Sequence, residues 1–423
     1  MNYNRFINTD FRRTAITITT IWLILQIIFL IIYWNHPEVP DAKSYCGHAL
    51  QCVQDGTIYP SIRNINDSYI HAPGFVNLLA LEYYIFGTFK VNYILNILLN
   101  IVILWEIYFL GRKIFNERIA NIAVIIYCFI FSNLFAPLHS LSDHPSYFLA
   151  LSGLCLALSK KWYYIALAGV CYAISYTFRP TVMAFVVCSI IYLFANRNRF
   201  TSYVYLLIPY IFLLTGIGIC NKARIGHYVN TSSLAGYGLA HSANPETSIH
   251  ADMTVFQHSY NTVTYIPNAE TISFATKDSI WKARSIQWIK ENPKKYLSLF
   301  IPRLLRSYSA DWWSLEDIIV VNDYEKAMKS NNPEYALKMR RLKQFIESIP
   351  YYLMILLFIS SLIINRKTIF SKKGILLIIT LLALGYSMIS VAELRFHYSF
   401  IFVMALWAAY GVDSFLIKKK SQK

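Results

Sequence analysis

Runs of about twenty apolar residues recur along this chain, and they restrict its fold more than any other feature. The first, Thr14–Trp34, reads TAITITTIWLILQIIFLIIYW. Roughly 20 such residues in a helix cross the ~30 Å hydrocarbon layer, and a helix satisfies its own backbone groups where no water can. The run is too long for a signal-peptide core and has no small-residue cleavage site, so it reads as a retained anchor. Further apolar segments lie at 74–88, 91–110, 119–136, 145–159, 162–178, 181–195, 202–219, 350–364, 374–391 and 397–416. Charged side chains make up 15% of the 423 residues, well below the ~25% of soluble domains. The expected fold class is therefore all-α, a polytopic membrane protein with about 10–12 transmembrane helices.

The net charge of +16 would suggest nucleic acid in a soluble protein. Here the basic residues fall in short connectors: Arg12 and Arg13; Arg112, Lys113 and Arg118; Lys160 and Lys161; Arg197 and Arg199; Arg366, Lys367, Lys372 and Lys373; Lys418, Lys419 and Lys420. That is the positive-inside pattern of cytoplasmic loops. It places both termini in the cytoplasm, gives the membrane lipids as neighbours and excludes nucleic acid as a partner. An even number of crossings follows. Between Pro73, outside, and the basic loop 111–118, inside, only one crossing fits where two apolar segments occur, so 74–88 is expected to be re-entrant or interfacial.

Three regions are expected: a transmembrane module over 1–219, an outer segment over 220–348 and a C-terminal transmembrane region over 349–423. The middle one carries 16 Lys/Arg against 12 Asp/Glu, a mixed soluble surface. Within 276–305, Trp281, Ile286, Trp288 and Ile289 fall near one helical face and Pro293 marks a break, the pattern of a helix lying in the interface. No internal repeat is visible, against an inverted-repeat transporter.

The polar loop from Asn35 to Pro73 follows the first span and holds Asp41, a carboxylate at the depth where a lipid-carried substrate presents its head. It is read either as a solvated interfacial acid or as the base that activates an acceptor hydroxyl or amine. Glu38, Asp55 and Asp67 are weaker alternatives as solvated or turn residues. Cys46 and Cys52 share this loop; six apart on one helix, they would be ~9 Å apart along the axis, too far for a disulfide. No strong metal-ligand spacing appears, a weak Cys46, His48, Cys52 grouping aside, and no cofactor is expected.

Asp41 with Tyr45, Gly56-x-x-Tyr59-Pro60, and His71-Ala72-Pro73-Gly74 opening an apolar span that ends in Phe86-Gly87 resemble the first-loop pattern of the C-type (GT-C) glycosyltransferases. The protein mannosyltransferase and aminoarabinose transferase branch is the nearest in look. Leu141-Ser142-Asp143, Ala168-Gly169 through Phe178-Arg179-Pro180, Asn221-Lys222-Ala223-Arg224, Trp288-Ile289 with Asn292-Pro293, and Glu393-x-Arg395-Phe396 extend the resemblance along nearly the whole chain. It implies an integral membrane enzyme that moves a hexosyl or pentosyl group from a polyprenyl-phosphate donor to a lipid, glycan or protein acceptor at the outer face, in a bacterial inner membrane. Asp41 is the catalytic residue it implies, and Tyr45, Tyr59 and His144 join the substrate-binding set. His71 stands where the family places an acid; it either shares the catalytic role or simply starts a helix.

The remaining site residues each have two readings. Asp143 is an N-cap or accepts a substrate hydroxyl. Arg179 snorkels to headgroups or pairs bidentately with phosphate. Glu393 and Arg395 pair with each other, or Arg395 clamps the leaving phosphate. Lys222 and Arg224 bind headgroups or phosphate. Glu82 and Glu106, within or near spans, are expected to pair between helices. Two other classes share some of these features: an O-antigen polymerase or ligase, and a transporter without chemistry. The former tends to place its large loop late, whereas the candidate carboxylate here comes directly after the first span.

Overall fold

The computed structural model describes residues 3–36, 38–197, 199–249, 264–311 and 332–421, all in helices, turns and connections, with no strand among them. Parts of the 220–348 segment and the side chains of Lys418–Lys420 lie outside that description. In chain order the helices are α1 Tyr3–Ile32, α2 Pro40–Asp55, α3 Pro73–Phe86, α4 Val91–Ile114, α5 Glu117–Cys128, α6 Phe131–Phe135, α7 Asp143–Ala157 and α8 Trp162–Phe178. Then follow α9 Met183–Ala195, α10 Phe200–Ile225, α11 Ala235–Ser242, α12 Phe274–Glu291, α13 Pro293–Ser298 and α14 Phe300–Ser307. The last are α15 Pro333–Glu347, α16 Ile349–Ile364, α17 Arg366–Ile369, α18 Leu377–Ile389 and α19 Ile401–Ser421.

Among the described residues, five helices are long and apolar enough to cross a membrane, or up to seven if each of two bent pairs counts as one span. The eleven apolar segments all appear as helices, but α3, α7, α8 and α9 are shorter than a full span. This is a multi-pass membrane protein. Helix α3 has 14 residues, about 21 Å at 1.5 Å each, and does not reach across hydrocarbon. Between Pro73 and Ile114, α4 is the one helix long and apolar enough to cross. The segment 119–136 departs from its reading as one span: α5 is followed by 131–138 at a bend of 75°.

That bend is held by polar side chains that the apolar count overlooks. Asn92, Asn96 and Asn100 recur every fourth residue on α4 and are all fully buried. Asn100 Nδ2 donates to the Asn133 carbonyl at 3.1 Å, and Asn96 Nδ2 donates to those of Pro137 and His139 at 3.3 Å each. Irregular backbone is tolerated at this depth only where protein satisfies it. The stripe thus fixes the connection that leads into α7.

Two glycines let helices approach closely. A Cβ on Gly169 of α8 would stand 2.2 Å from the Leu206 carbonyl oxygen of α10, and one on Gly74 of α3 would stand 2.0 Å from Thr177 Oγ1 of α8. Both contacts fall inside van der Waals distance, so α10 and α3 seat on α8 only with glycine there.

The segment between α10 and α15 has two small apolar clusters, one around Tyr237 and Trp281 and one around Trp288 and Tyr296. Helix α12 ends at Glu291 and α13 starts at Pro293, the break expected. Trp281 and Trp288 are buried in those clusters and Trp281 Nε1 donates to the Thr264 carbonyl at 2.8 Å. Both tryptophans pack on protein, which corrects their expected placement in a lipid interface. The first loop holds the segment: Ile70 N–H donates to Ser233 Oγ at 2.8 Å, and Lys277 Nζ to the Asn66 carbonyl at 2.6 Å. Helix α10 runs through the expected 219/220 boundary.

Candidate active site

Pro40 opens α2 and puts Asp41 in its first turn. A proline lacks the N–H that would be orphaned there, and the helix N-terminus favours a carboxylate. The chain closes at Gly56, whose φ of +61° is the left-handed conformation that glycine adopts freely. Asp41 Oδ2 is bonded by Arg395 Nη1, an ion pair across 354 residues of sequence. Arg395 lies in the 3₁₀ segment Leu394–Phe400 that feeds α19. The expected internal pairing of Glu393 with Arg395 is thus replaced by one with Asp41, although Glu393 still adds to the field at Arg395.

A second pair stands beside it. Asp143 is in the first turn of α7 and bonds Arg179, the residue that ends α8. The N-cap of α7 is Ser142 rather than Asp143. Pro180 pushes the residue before it out of the helical region, and Arg179 is extended at φ −150° and ψ 129°. That turn brings its side chain to Asp143 and away from a snorkelling position. The two pairs form one electrostatic group. The Arg395 guanidinium, against the opposing cost of burial, holds the Asp41 carboxyl below the usual carboxylate range, with help from Arg179 and His71.

Arg179, Tyr45 and Ser142 line a cavity of about 580 Å³ with Met183, Val187, Leu382, Ala383, Tyr386 and Phe400. This size suits a small-molecule site. One end is cationic and the walls are apolar. Asp41 and Arg395 are not among its lining residues.

His71 sits in an aromatic cage, its ring 5.0 Å from Tyr45, 4.8 Å from Tyr69 and 5.0 Å from His48. Its Nε2 is 2.8 Å from Ser44 Oγ. Burial, then the neighbouring His48, pushes its pKa down to about 4 against the opposing pull of Asp41. At neutral pH it is an uncharged imidazole and supplies no second acid.

Three of the expected ligands make contacts within the protein, and a fourth is exposed. Tyr59 is buried; its hydroxyl accepts the His71 N–H at 3.0 Å, and it lines a separate cavity with Arg224. Arg224 donates to the Ile58 and Pro60 carbonyls at 2.9 and 3.2 Å, so it anchors the first loop. His144 is buried with both nitrogens engaged, Nδ1 with Tyr398 at 2.7 Å and Nε2 with the Asn96 carbonyl at 3.0 Å. Lys222 is exposed on α10. Glu82 and Glu106 pair between helices as expected, with Asn92 and Ser152.

Sequence reasoning passed over Glu38, placed among the solvated acids, and Arg303, which has no motif. Glu38 accepts from the Tyr93 hydroxyl at 2.6 Å and lies 3.5 Å from His139 Nδ1. The spacing His36-x-Glu38 beside Asp41 was the available signal. No signal marks Arg303, wholly buried on α14 and bonded to carbonyls of Ser242, Ser248 and Ile389.

Residues 70–220 match the family model for dolichyl-phosphate-mannose-protein mannosyltransferases. Over the whole chain, the similarity is to the apo Archaeoglobus fulgidus oligosaccharyltransferase, at 12% identity and a TM-score of 0.53, covering 96% of this chain and 51% of that one. The fold is that of the C-type glycosyltransferases. Other GT-C structures are similar at lower scores. The A. fulgidus AglB complex with an inhibitory peptide and a dolichol-phosphate gives 14% identity and 0.48, covering 96% and 51%. ArnT from Cupriavidus metallidurans bound to undecaprenyl phosphate gives 10% and 0.42, covering 95% and 78%. The chain spans about half the length of the oligosaccharyltransferase it matches. No curated protein matches it.

Proposed function

We propose that this protein is a glycosyltransferase that takes a hexosyl or pentosyl group from a polyprenyl-phosphate donor. Its acceptor is a lipid, a glycan or a protein at the outer face of a bacterial inner membrane, with both termini in the cytoplasm. The observation that carries this reading is the pairing of Asp41 with Arg395 beside that of Asp143 with Arg179, the last of which forms the cationic end of an apolar cavity. The match of residues 70–220 to the mannosyltransferase family model supports it.

Transfer from a sugar phosphate builds negative charge on the leaving phosphate and positive charge at the anomeric carbon. Fixed cations near the first and a carboxylate near the second lower the transition state more than the ground state. Arg179 and Arg395 are the two cations, and their pairing with carboxylates keeps them in place before a donor arrives. Asp41, ionised beside Arg395, accepts the proton of the attacking hydroxyl or amine. Met183, Val187 and Leu382 offer an apolar wall to the first isoprene units. The donor is already activated, so no nucleotide loop is required. A single displacement inverts the anomeric centre; retained configuration in the product would overturn that step.

The test is turnover by the full chain in lipid vesicles against a panel of labelled polyprenyl-phosphate monosaccharides, the mannosyl donor included. Transfer from at least one member is expected. Asp41→Asn should insert normally and lose turnover; turnover at the parental rate would remove Asp41 from the chemistry.

A further inference from the structure

We propose that His36, Glu38 and His139 form a binding site for a transition-metal dication of the zinc type, separate from the two carboxylate–arginine pairs. These are the one group of three His, Cys, Asp or Glu among the described residues whose ligand atoms all lie within 4.8 Å of one another.

His36 is already turned to present a lone pair. His36 Nδ1 is 2.6 Å from the Tyr33 carbonyl oxygen, which can only accept, so the proton is on Nδ1 and Nε2 is bare. His36 Nε2 is buried and has no hydrogen-bond partner. A ring nitrogen bonded to a carbonyl behind a free one in front is the arrangement that orients metal-binding imidazoles. Glu38 uses Oε1 to accept from the Tyr93 hydroxyl, and this leaves Oε2 facing His139 Nδ1 at 3.5 Å. Zinc bonds of ~2.0–2.1 Å at a tetrahedral angle set ligands about 3.3 Å apart. Two imidazoles with one carboxylate suit zinc and its neighbours better than magnesium or calcium, which prefer oxygen alone.

The positions explain what the ion does. Glu38 is three residues before Asp41, and His139 is four before Asp143. The α1–α2 connection and the connection into α7 each lead into a helix whose first turn carries one acid of the paired cluster. A metal between them fastens both together, a positioning role that rests on the function proposed above. An ion pair between Glu38 and a protonated His139 is the competing arrangement, and it leaves His36 Nε2 without a partner.

The test uses the full chain in detergent, purified without a polyhistidine tag and stripped with chelator. One equivalent of zinc should survive desalting. Cobalt(II) should give the visible ligand-field bands of a tetrahedral site without a thiolate charge-transfer band. His36→Ala and His139→Gln, checked for normal elution and helicity, should each weaken zinc binding by more than the roughly 10–100-fold that losing an outer-shell partner costs. His48→Ala, in the aromatic cage of the same loop, should leave it unchanged. No retained zinc, zinc equally tight in both site variants, or a thiolate band would each overturn the site. The cobalt spectrum needs no variant to fold, and none of these readouts uses transfer, so failure here is distinct from failure of the proposed function.

Discussion

Arg395 and Arg303 are both arginines bonded within the protein, and they differ in what holds them. Arg395 is 26% exposed and bonded to a carboxylate, within the field of Arg179, which lines a cavity. Arg303 is 0% exposed, and its named partners are backbone carbonyls and the Thr247 hydroxyl. An arginine surrounded by carbonyls has no group that exchanges for a phosphate without leaving backbone acceptors bare. An arginine on a carboxylate keeps an anion-binding geometry that a second anion can share. The chemistry of the partner, more than the presence of buried charge, separates a candidate site from a fastening.

The largest effect that would break this comparison is at Asp41. Asp41→Asn is expected to lower turnover by about 10²–10⁴-fold, the range of a positioned base, in a vesicle transfer assay with thermal stability near the parental value. Arg395→Ala comes next. Loss of a charge-assisted contact of about 1.5–3 kcal/mol predicts roughly a 10–100-fold drop in kcat/KM for the donor, read from donor titrations; unchanged donor dependence would move Arg395 to the fastening class. Arg303→Met should do the reverse, lowering stability by about 2–3 kcal/mol through unpaired carbonyls. Its denaturation midpoint checks this, and a turnover loss at full stability would place Arg303 in the site.

His71 sharpens the comparison through pH. Its folded-state pKa of about 4 lies below its ordinary value of 6.5. Between those values the unfolded chain binds a proton that the folded chain refuses. Stability therefore falls as pH drops from about 6.5 towards about 4, by up to about 1.4 kcal/mol per pH unit from this group, and the contribution is full above 6.5. His71→Gln should flatten that stretch of a denaturation series; an unaltered slope would mean that His71 is not held neutral. Tyr59→Phe is the smallest change, about 1 kcal/mol for the lost hydroxyl acceptor of the His71 N–H, visible as a small shift in melting temperature.

Much of the site was legible in the sequence because proline and glycine mark helix ends whatever packs around them. Pro40 before Asp41, Pro180 after Arg179 and Gly56 at the close of α2 each set a terminus locally. Asp143 and Arg179 were marked for the same reason, as charges at the ends of apolar runs. The internal contacts of Arg224, Tyr59 and His144 were not legible, because a motif gives a residue's place in the chain but not where its side chain turns. Glu38 was missed because its neighbour in space, His139, is a hundred residues away.

The sequence alone determined that this chain is a bundle of apolar helices, since length and hydropathy are properties of each segment by itself. It also determined that charge collects at particular helix ends. Only the tertiary structure decided that Asp41 meets Arg395 across 354 residues and that Asp143 meets Arg179. It alone set the buried asparagine stripe of α4 against the 133–139 connection. Those outcomes depend on how distant helices approach, through contacts such as Gly169 on Leu206 and Gly74 on Thr177, and no local pattern carries that distance.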